Sequence, residues 1–445
     1  MIKDYYQKKT YKINRIRRET ILSFIGSKEK QLILDIGCGN GELGEIIKKE
    51  KGAIVHGIDV SQESIVIAQK KIDFAFMADL EKDNWLERIK DNKYDKIIIS
   101  EVLEHLFEPE KILEDIKKVS YDDTEIIITV PNLLFWKNRL KIFFGKFKYT
   151  NSGIMDRGHV HFFTWKNLKN LLKFTGYKIF FVKNNVPTRG TKLIGKILPG
   201  FFSYQFLLKV KKKNVVVYTA IFGGKDQLIE PERISENIDY ICFTDSDFQS
   251  NSWKIVKTKP FYKDPVRSAR KIKVLPHRFL ENYKYSVWID GNIISHGDIE
   301  EAVKEYLEKS DVAVYDHSCL REGSRNCVYQ EASKLIEMEN VGKYKDDPEL
   351  IKKQINKYKI EGYPENNGLV SSMIIFRKHN EEKIKKMMED WWQEIKENSR
   401  RDQLSINYVF WKNNFEPNYI KEDSRNNKYF KHSAHKIRNN YDDRS

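Results

Sequence analysis

The chain is short of the devices that staple small secreted or zinc-bound proteins together. Its 445 residues include four cysteines, Cys38, Cys242, Cys319 and Cys327. None of them forms a C-x-x-C pair, so neither a zinc ribbon nor a disulfide framework is indicated. Cysteine usage of this kind points to a reducing, cytoplasmic compartment. No stretch stays apolar for the roughly 20 residues that a membrane span needs, and the first residues lack the apolar core of a signal peptide. Internal repeats and low-complexity tracts are missing. So are zinc-finger spacing and an RNA-recognition signature, which sets nucleic acid aside as an expected partner.

What the chain does have is length, apolar content and positive charge. Its length predicts two or three domains, and its 40% hydrophobic content is enough for ordinary cores. Lys and Arg outnumber Asp and Glu by 79 to 64, a net charge of +15. That balance favours acidic partners such as anionic lipid or phosphorylated small molecules, unless it is only a solvated lysine-rich surface.

Apolar runs alternate with amphipathic stretches through the first half. Strands are expected at Gln31–Ile36, Ala53–Ile58, Phe74–Met77, Lys96–Ile99 and Glu125–Val130, and helices at Tyr11–Ile25, Gln62–Lys71, Pro109–Val119 and Thr164–Phe174. Such alternation predicts a parallel sheet covered by helices on both faces. Two late neighbouring strands, Tyr177–Val182 and Tyr204–Val210, suit an antiparallel edge. The segment Leu133–Tyr149, aromatic and basic, reads first as a lid helix packed on its own domain and second as a membrane-surface contact. A new strand and loop system begins after Lys211-Lys-Lys-Asn, so the domains are expected at 1–212 and 213–445.

A first site is announced by Asp35-Ile-Gly-Cys-Gly-Asn-Gly, placed between a strand and a helix. Glycines there allow a sharp turn and close approach of a ligand. Asp59 ends the next strand, where a carboxylate can accept from two ribose hydroxyls, Asp79 ends the third, and Ser100-Glu-Val-Leu-Glu-His-Leu follows the fourth. On these residues Tyr11–Lys211 resembles the class I S-adenosylmethionine-dependent methyltransferases, notably the ubiquinone-biosynthesis O-methyltransferases. The resemblance implies a Rossmann-like seven-stranded α/β sheet. It also implies a cofactor site of Asp35, Gly37, Gly39 and Gly41 at the methionine part, Asp59 at the ribose, Asp79 at the adenine, and Ser100 and Glu101 beside them. Methyl transfer to a hydroxyl needs positioning and a base. His105, and His159 and His161 in Arg157-Gly-His-Val-His, are the base candidates, although a lone histidine is more often structural.

The second half carries Val217-Tyr-Thr-Ala-Ile-Phe-Gly-Gly, Tyr240-Ile-Cys-Phe-Thr-Asp, Lys273-Val-Leu-Pro-His-Arg-Phe, Trp288-Ile-Asp-Gly-Asn and Ser399-Arg-Arg-Asp-Gln-Leu-Ser. Together they resemble a glycosyltransferase-like family known from plant proteins of cell-wall mucilage and pollen, over about Asn214–His435. The resemblance implies a mixed α/β fold of the GT-A type. Thr219 and Gly223 would line a nucleotide pocket, with Asp245 at the base or ribose; Arg267, Arg270 and Lys273 would neutralise a diphosphate, and Asp290 would belong to the same nucleotide-sugar site. Asp290 and Asn292 suit a hard cation, Mn²⁺ or Mg²⁺, although an Asp-Gly-Asn turn is the plainer reading. A late histidine, His432 or His435, could complete the metal shell. Asp402 is placed as a catalytic acid near the acceptor, and His317 and Arg325 as acceptor contacts.

The combined expectation is a bifunctional enzyme of surface-glycan assembly. It would take a methyl group from S-adenosylmethionine and a sugar from a nucleotide-sugar donor, and act on a saccharide or lipid-linked glycan. It would be cytoplasmic, with peripheral contact to the inner membrane face. The alternative is a small-molecule or lipid O-methyltransferase carrying a non-catalytic carbohydrate-binding domain.

Overall fold

The structure, a computed structural model, describes residues 13–26, 30–185, 199–340 and 346–433. The chain divides into two compact units, Met1–Lys212 and Lys213–Ser445.

The first unit is built on strands β1 (Leu32–Ile36), β2 (Ile54–Asp59), β3 (Phe74–Met77), β4 (Tyr94–Ser100), β5 (Ser120–Pro131), β6 (Tyr177–Asn185) and β7 (Gln205–Lys212). Their order in the sheet is β3-β2-β1-β4-β5-β7-β6. β1 to β5 run parallel, and β7 enters antiparallel to both β5 and β6. Alternate residues serve opposite faces, as the two-residue strand period requires. Leu34, Ile97, Ile126 and Leu208 enter one core cluster, and Ile33, Ile98, Ile127 and Leu207 the other. The longer helices among the described residues are α1 (Arg15–Ile25), α2 (Glu42–Lys51), α3 (Gln62–Ala68), α4 (Pro109–Asp115), α5 (Trp136–Phe143) and α6 (Trp165–Phe174). Thr164 caps α6 in a reciprocal capping box with Asn167.

The aromatic, basic segment differs from its expected packing. Of the residues in α5 only Asn138 is buried. Leu140, Phe143, Phe144 and Phe147 stand 50%, 81%, 69% and 50% exposed, so the segment is not a lid packed down on its own unit.

The second unit holds β8 (Val215–Ile221), β9 (Ile238–Thr244), β10 (Trp253–Lys257), β11 (Tyr285–Ile289), β12 (Ile293–Ser295), β13 (Val312–Asp316), β14 (Val370–Arg377), β15 (Asn418–Ile420) and β16 (Phe430–His432). Seven form a mixed sheet, β10-β9-β8-β11-β14-β13-β15, and β12 pairs with β16. β14 is antiparallel to both of its neighbours, β11 and β13. Helices α7 (Pro265–Val274), α8 (Ile299–Tyr306), α9 (Val328–Asn340), α10 (Pro348–Ile360), α11 (Glu382–Glu397) and α12 (Gln403–Lys412) complete it. Apolar clusters lie on both faces here too, one holding Tyr218, Trp288 and Ile375 and the other Val217, Val287 and Ile374. Among the described residues no helix is long and apolar enough to cross a membrane.

Candidate active sites

In an open α/β sheet, ligands bind beyond the carboxyl ends of the strands where the strand order reverses. In the first unit that point lies between β1 and β4, and a cavity of about 750 Å³ opens there. Asp35, Gly37, Gly39, Asp59, Asp79, Ser100, Glu101, His105 and His159 all line it. Gly37 and Gly39 have φ of +75° and +53°, a region that favours glycine. A Cβ on Gly37 would collide with Val102, whereas one on Gly39 would stand in open space. The Gly39 N–H donates to Asp59 Oδ2 at 2.8 Å, and the Ser61 N–H donates to Oδ1 at 2.9 Å. The Asp59 carboxylate is thereby held at the rim. Asp35 is buried beneath the turn, and burial, reinforced by Asp59, pushes its carboxyl up to about 7.

Two expected residues lie off this wall. Gly41 is the N-cap of α2, and a Cβ there would meet Ala68 Cα at 3.0 Å. Its glycine thus serves helix packing rather than the cavity surface. His161 points away as well, its Nε2 3.1 Å from the Phe107 carbonyl.

Glu101, Glu104, His105 and His159 also line the cavity. Glu101 has φ +58°, a strained backbone for a residue with a side chain. Its carboxylate takes Arg17 Nη1 at 3.2 Å and the Gln205 amide. Glu104 is fully buried, neither of its carboxyl oxygens has a hydrogen-bond partner, and burial together with Glu101 pushes its carboxyl well above the usual range. His105 Nδ1 lies 2.9 Å from the Gly158 carbonyl and His159 Nδ1 3.0 Å from that of Ile154. A carbonyl only accepts, so each neutral ring carries its proton on Nδ1 and its lone pair on Nε2. Arg17 and Glu104 escaped the sequence reading. Arg17 sits in a helix far upstream, and Glu104 looks in sequence like one more acid of a loop.

In the second unit the reversal lies between β8 and β11. Gly223, with φ +63°, follows β8 and donates its N–H to both Asp245 oxygens, at 3.2 and 3.1 Å. Asp290 follows β11. Its Oδ1 accepts from Trp288 Nε1 at 2.7 Å and Lys273 Nζ at 3.2 Å, with Arg270 Nη1 at 3.7 Å. Lys273 also reaches Asp402 Oδ2 at 2.6 Å, and Arg270 Nε reaches Asp402 Oδ1 at 3.1 Å. Two cations therefore balance two carboxylates, with Lys273 and Asp402 almost wholly buried.

This network changes several expected roles. Asp402 is no free acid, because both its oxygens are taken by buried cations that hold its carboxyl well below the ordinary range. Arg270 and Lys273 are already neutralised by carboxylates. Arg267 donates instead to the carbonyls of Ile395, Lys396 and Asn398, where a helix end leaves carbonyls unpaired and favours a cation. Thr219 is buried inside β8 rather than on a pocket wall. His317 is buried and accepts from the Arg325 N–H at 3.1 Å, while Arg325 pairs with Glu331. Burial and the nearby arginines pull the His317 imidazole down to about 4, so it braces a loop as a neutral ring. Asn292 lies 3.0 Å from His432 Nε2, and His435 lies outside the described residues. The set around Asp290 does not fit a divalent cation at Oδ1, since two cationic side chains and an indole N–H already converge there. Among the described residues, the group of histidines and acids spaced for a metal is Glu104, His105 and His159.

A second cavity of about 600 Å³ lies in the same unit, lined by Asn326, Asn366, Asn367, Asn407, Trp411 and Tyr419 among others. α12 joins the two features. Asp402 stands at its start, Asn407 in its middle accepts from the Val370 N–H at 2.9 Å, and Trp411 lies near its end. No motif in the sequence signals this cavity, because its residues come from separate loops and helix ends.

The TOD1/MUCI70 glycosyltransferase-like domain matches residues 200–435, and the methionine biosynthesis protein MetW matches residues 15–191. "Probable hexosyltransferase MUCI70" of Arabidopsis thaliana is 26% identical over 237 residues, covering 46% of this chain and 38% of that protein. A ubiquinone biosynthesis O-methyltransferase of Pasteurella multocida is 30% identical over 137 residues, covering 28% of this chain and 56% of that enzyme. The chain thus spans 38% and 56% of the length of these two curated relatives. A crystal structure of a SAM-dependent methyltransferase from Archaeoglobus fulgidus aligns at 21% identity with a TM-score of 0.33, covering 44% of this chain and 94% of that one.

Proposed function

The chain belongs to the TOD1/MUCI70 glycosyltransferase-like family and has a methyltransferase-like first half, and from that premise we propose a bifunctional transferase of glycan assembly. In this reading the first unit binds S-adenosylmethionine and methylates a hydroxyl of a saccharide. The second unit transfers a sugar from a nucleotide-sugar donor. The observation that carries the first part is the Asp59 carboxylate, fixed by the Gly39 and Ser61 N–H groups at the rim of a cavity that opens where the strand order reverses.

S-adenosylmethionine supplies an electrophilic methyl group. Asp59 is aimed to accept from ribose hydroxyls, and the open backbone at Gly39 lets the amino-acid end lie close. Asp79 closes the adenine side, held by the Asp83 carboxylate at its N–H, 2.7 Å away. His105 and His159 orient the acceptor and take its proton.

For sugar transfer, Gly223 and Asp245 meet the nucleoside, and the charge-balanced Asp290–Lys273–Arg270–Asp402 network braces the strand ends beside it. The asparagine- and aromatic-lined cavity along α12 suits the saccharide acceptor, since amides pair with hydroxyls and aromatic faces cover apolar sugar faces. The internal charge balance at Asp290 favours a second reading, in which this unit holds saccharide without transferring it. The exposed Phe143, Phe144 and Phe147 at and after the end of α5, interleaved with Lys141 and Lys146, support peripheral contact with an anionic cytoplasmic membrane surface.

Calorimetric titration tests the whole reading. S-adenosylhomocysteine should bind, and Asp59→Ala should weaken it at least about 10-fold, as expected for loss of hydrogen bonds to a charged group. No binding would refute the methyltransferase half. A panel of nucleoside diphosphates, with and without Mn²⁺, should give one binder that is lost in Asp290→Ala. If none binds, the second unit is a carbohydrate-binding module.

A further inference from the structure

We infer that the cavity along α12 is a saccharide subsite selective for an uncharged pyranose residue, held by Trp411, Asn326, Asn366 and Asn414. Naming that saccharide the acceptor rests on the sugar-transfer reading; the subsite and its preference for an uncharged sugar do not.

Three observations point to a ligand there. First, the lining keeps polar groups unpaired. Among the described residues, the side-chain amides of Asn326, Asn366 and Asn414 and the indole N–H of Trp411 have no hydrogen-bond partner, and all four residues line the cavity. An amide both donates and accepts, as a sugar hydroxyl does, and a half-buried indole offers an apolar face with a donor at its edge. Second, the backbone is unusual here. The described non-glycine residues with φ in the left-handed region are Lys30, Glu101, Asn366 and Asn414. Glu101 lines the first cavity and the two asparagines line this one. Such backbone is sparsely populated and gathers at ligand sites. Third, the buried asparagine of the lining is already fixed. Asn407, 2% exposed, accepts from the Val370 N–H at 2.9 Å and donates from Nδ2 to the Tyr419 hydroxyl at 3.2 Å. Gly368, with φ +81°, keeps this corner open, since a Cβ there would stand 3.3 Å from Asn407 Nδ2. The buried part of the lining is thus set before a ligand arrives, and the exposed amides remain to meet it.

The charge of the lining selects among sugars. Its charged side chains are Asp316, Glu416 and Lys421. Lys421 pairs with Asp316 at 2.5 Å, while Glu416 has no ion partner among the described residues. The unbalanced charge is therefore negative. A uronate or a phosphorylated sugar would meet it with no free cation of the lining in return, whereas an uncharged sugar loses nothing. α12 also places this subsite beside the charge network. Ser372 Oγ donates to Asp402 Oδ2 at 3.0 Å, and Gln403 Nε2 donates to the Val370 carbonyl at 2.9 Å. Val370 and Ser372 are two residues apart on β14, about 7 Å along a strand. A saccharide held at Asn407 and Trp411 thus lies close to the strand ends where transfer is proposed.

The test titrates the full chain by calorimetry with maltotriose, cellotriose and galactotriose as uncharged probes, with trigalacturonate as the acidic one, and with the nucleoside diphosphate panel on the same samples. One uncharged trisaccharide should bind, and trigalacturonate should bind at least about 10-fold more weakly. Asn366→Gly/Asn414→Gly removes two amides and suits the left-handed backbone. It should weaken the trisaccharide at least about 10-fold, with melting temperature and nucleoside diphosphate affinity near those of the parent. Trp411→Ala should weaken it as well. If no uncharged trisaccharide binds to a protein that binds a nucleoside diphosphate, the subsite is overturned and the sugar-transfer reading stands. Trisaccharide binding unchanged in the double glycine variant overturns it too, by placing the sugar elsewhere, and equal binding of trigalacturonate overturns the preference for an uncharged sugar. Trisaccharide binding that is lost in the variants of a protein that binds no nucleoside diphosphate upholds the subsite and removes the sugar-transfer reading.

Discussion

Replacing Asp402 with asparagine keeps the shape of the side chain and removes its charge, leaving Lys273 and Arg270 with Asp290 alone. The two ion pairs that this substitution breaks span 2.6 Å to Lys273 and 3.1 Å to Arg270. At an effective dielectric of about 20, each is worth roughly 5–6 kcal/mol of gross attraction. Relief of the carboxylate's own desolvation returns several kcal/mol, so the net cost should fall at about 3–5 kcal/mol, as for other buried ion pairs broken from one side. For a unit of this size that is a fall in melting temperature of roughly 6–20 °C. Denaturant unfolding, followed through the tryptophans of the second unit, measures it. The double variant Asp402→Asn/Lys273→Met restores charge balance and should recover most of the deficit. The sign with pH follows from the depressed carboxyl of Asp402. Its stabilisation is present above the unfolded value of about 3.9 and is lost as pH falls through the lower folded value. A single variant within about 1 kcal/mol of the parent, or a double variant no better than the single, would refute the view that this network holds the unit together.

Asp35 predicts the opposite slope in the first unit. Its folded value of about 7 lies above its unfolded value. Its contribution is therefore complete below about pH 4 and is lost as pH rises towards 7, a swing on the order of 4 kcal/mol. The stability difference between the parent and Asp35→Asn should shrink as pH is lowered across this window, and a flat difference would count against a buried protonated carboxyl. Phe143→Ser/Phe144→Ser should cut binding to phosphatidylserine vesicles about 10-fold or more, since each ring buries on the order of 2 kcal/mol of apolar surface. Unchanged vesicle binding would remove the membrane role of α5. Arg267→Ala should lower the stability of the second unit by about 1–3 kcal/mol through the freed carbonyls of α11 and leave nucleotide affinity unaltered in calorimetry.

The elements that local chemistry dictates were legible in the chain. Strand positions follow from apolar runs such as Leu32–Ile36 and Ile97–Ile99, because a strand covered on both faces needs continuous apolar residues. The turn at Gly37 and Gly39 was legible because only glycine adopts that backbone cheaply. The acids at strand ends were legible because the carboxyl edge of a sheet is where ligands meet it. Long-range pairing was beyond reach of the sequence. That Lys273 and Arg270 face Asp290 and Asp402, rather than a ligand, depends on the start of α12 coming beside α7 from far along the chain. That Arg267 caps α11 depends on packing of the same kind. The exposure of Phe143 and Phe144 was likewise hidden, since an aromatic, basic segment reads first as a packed lid and the structure leaves it bare. Local propensity and hydrophobic pattern act within a few residues, and so the sequence by itself determined the two sheets and the cofactor turn. Ion pairing, burial and the approach of Glu104 to His159 are set by through-space distance, and only the tertiary structure decided them.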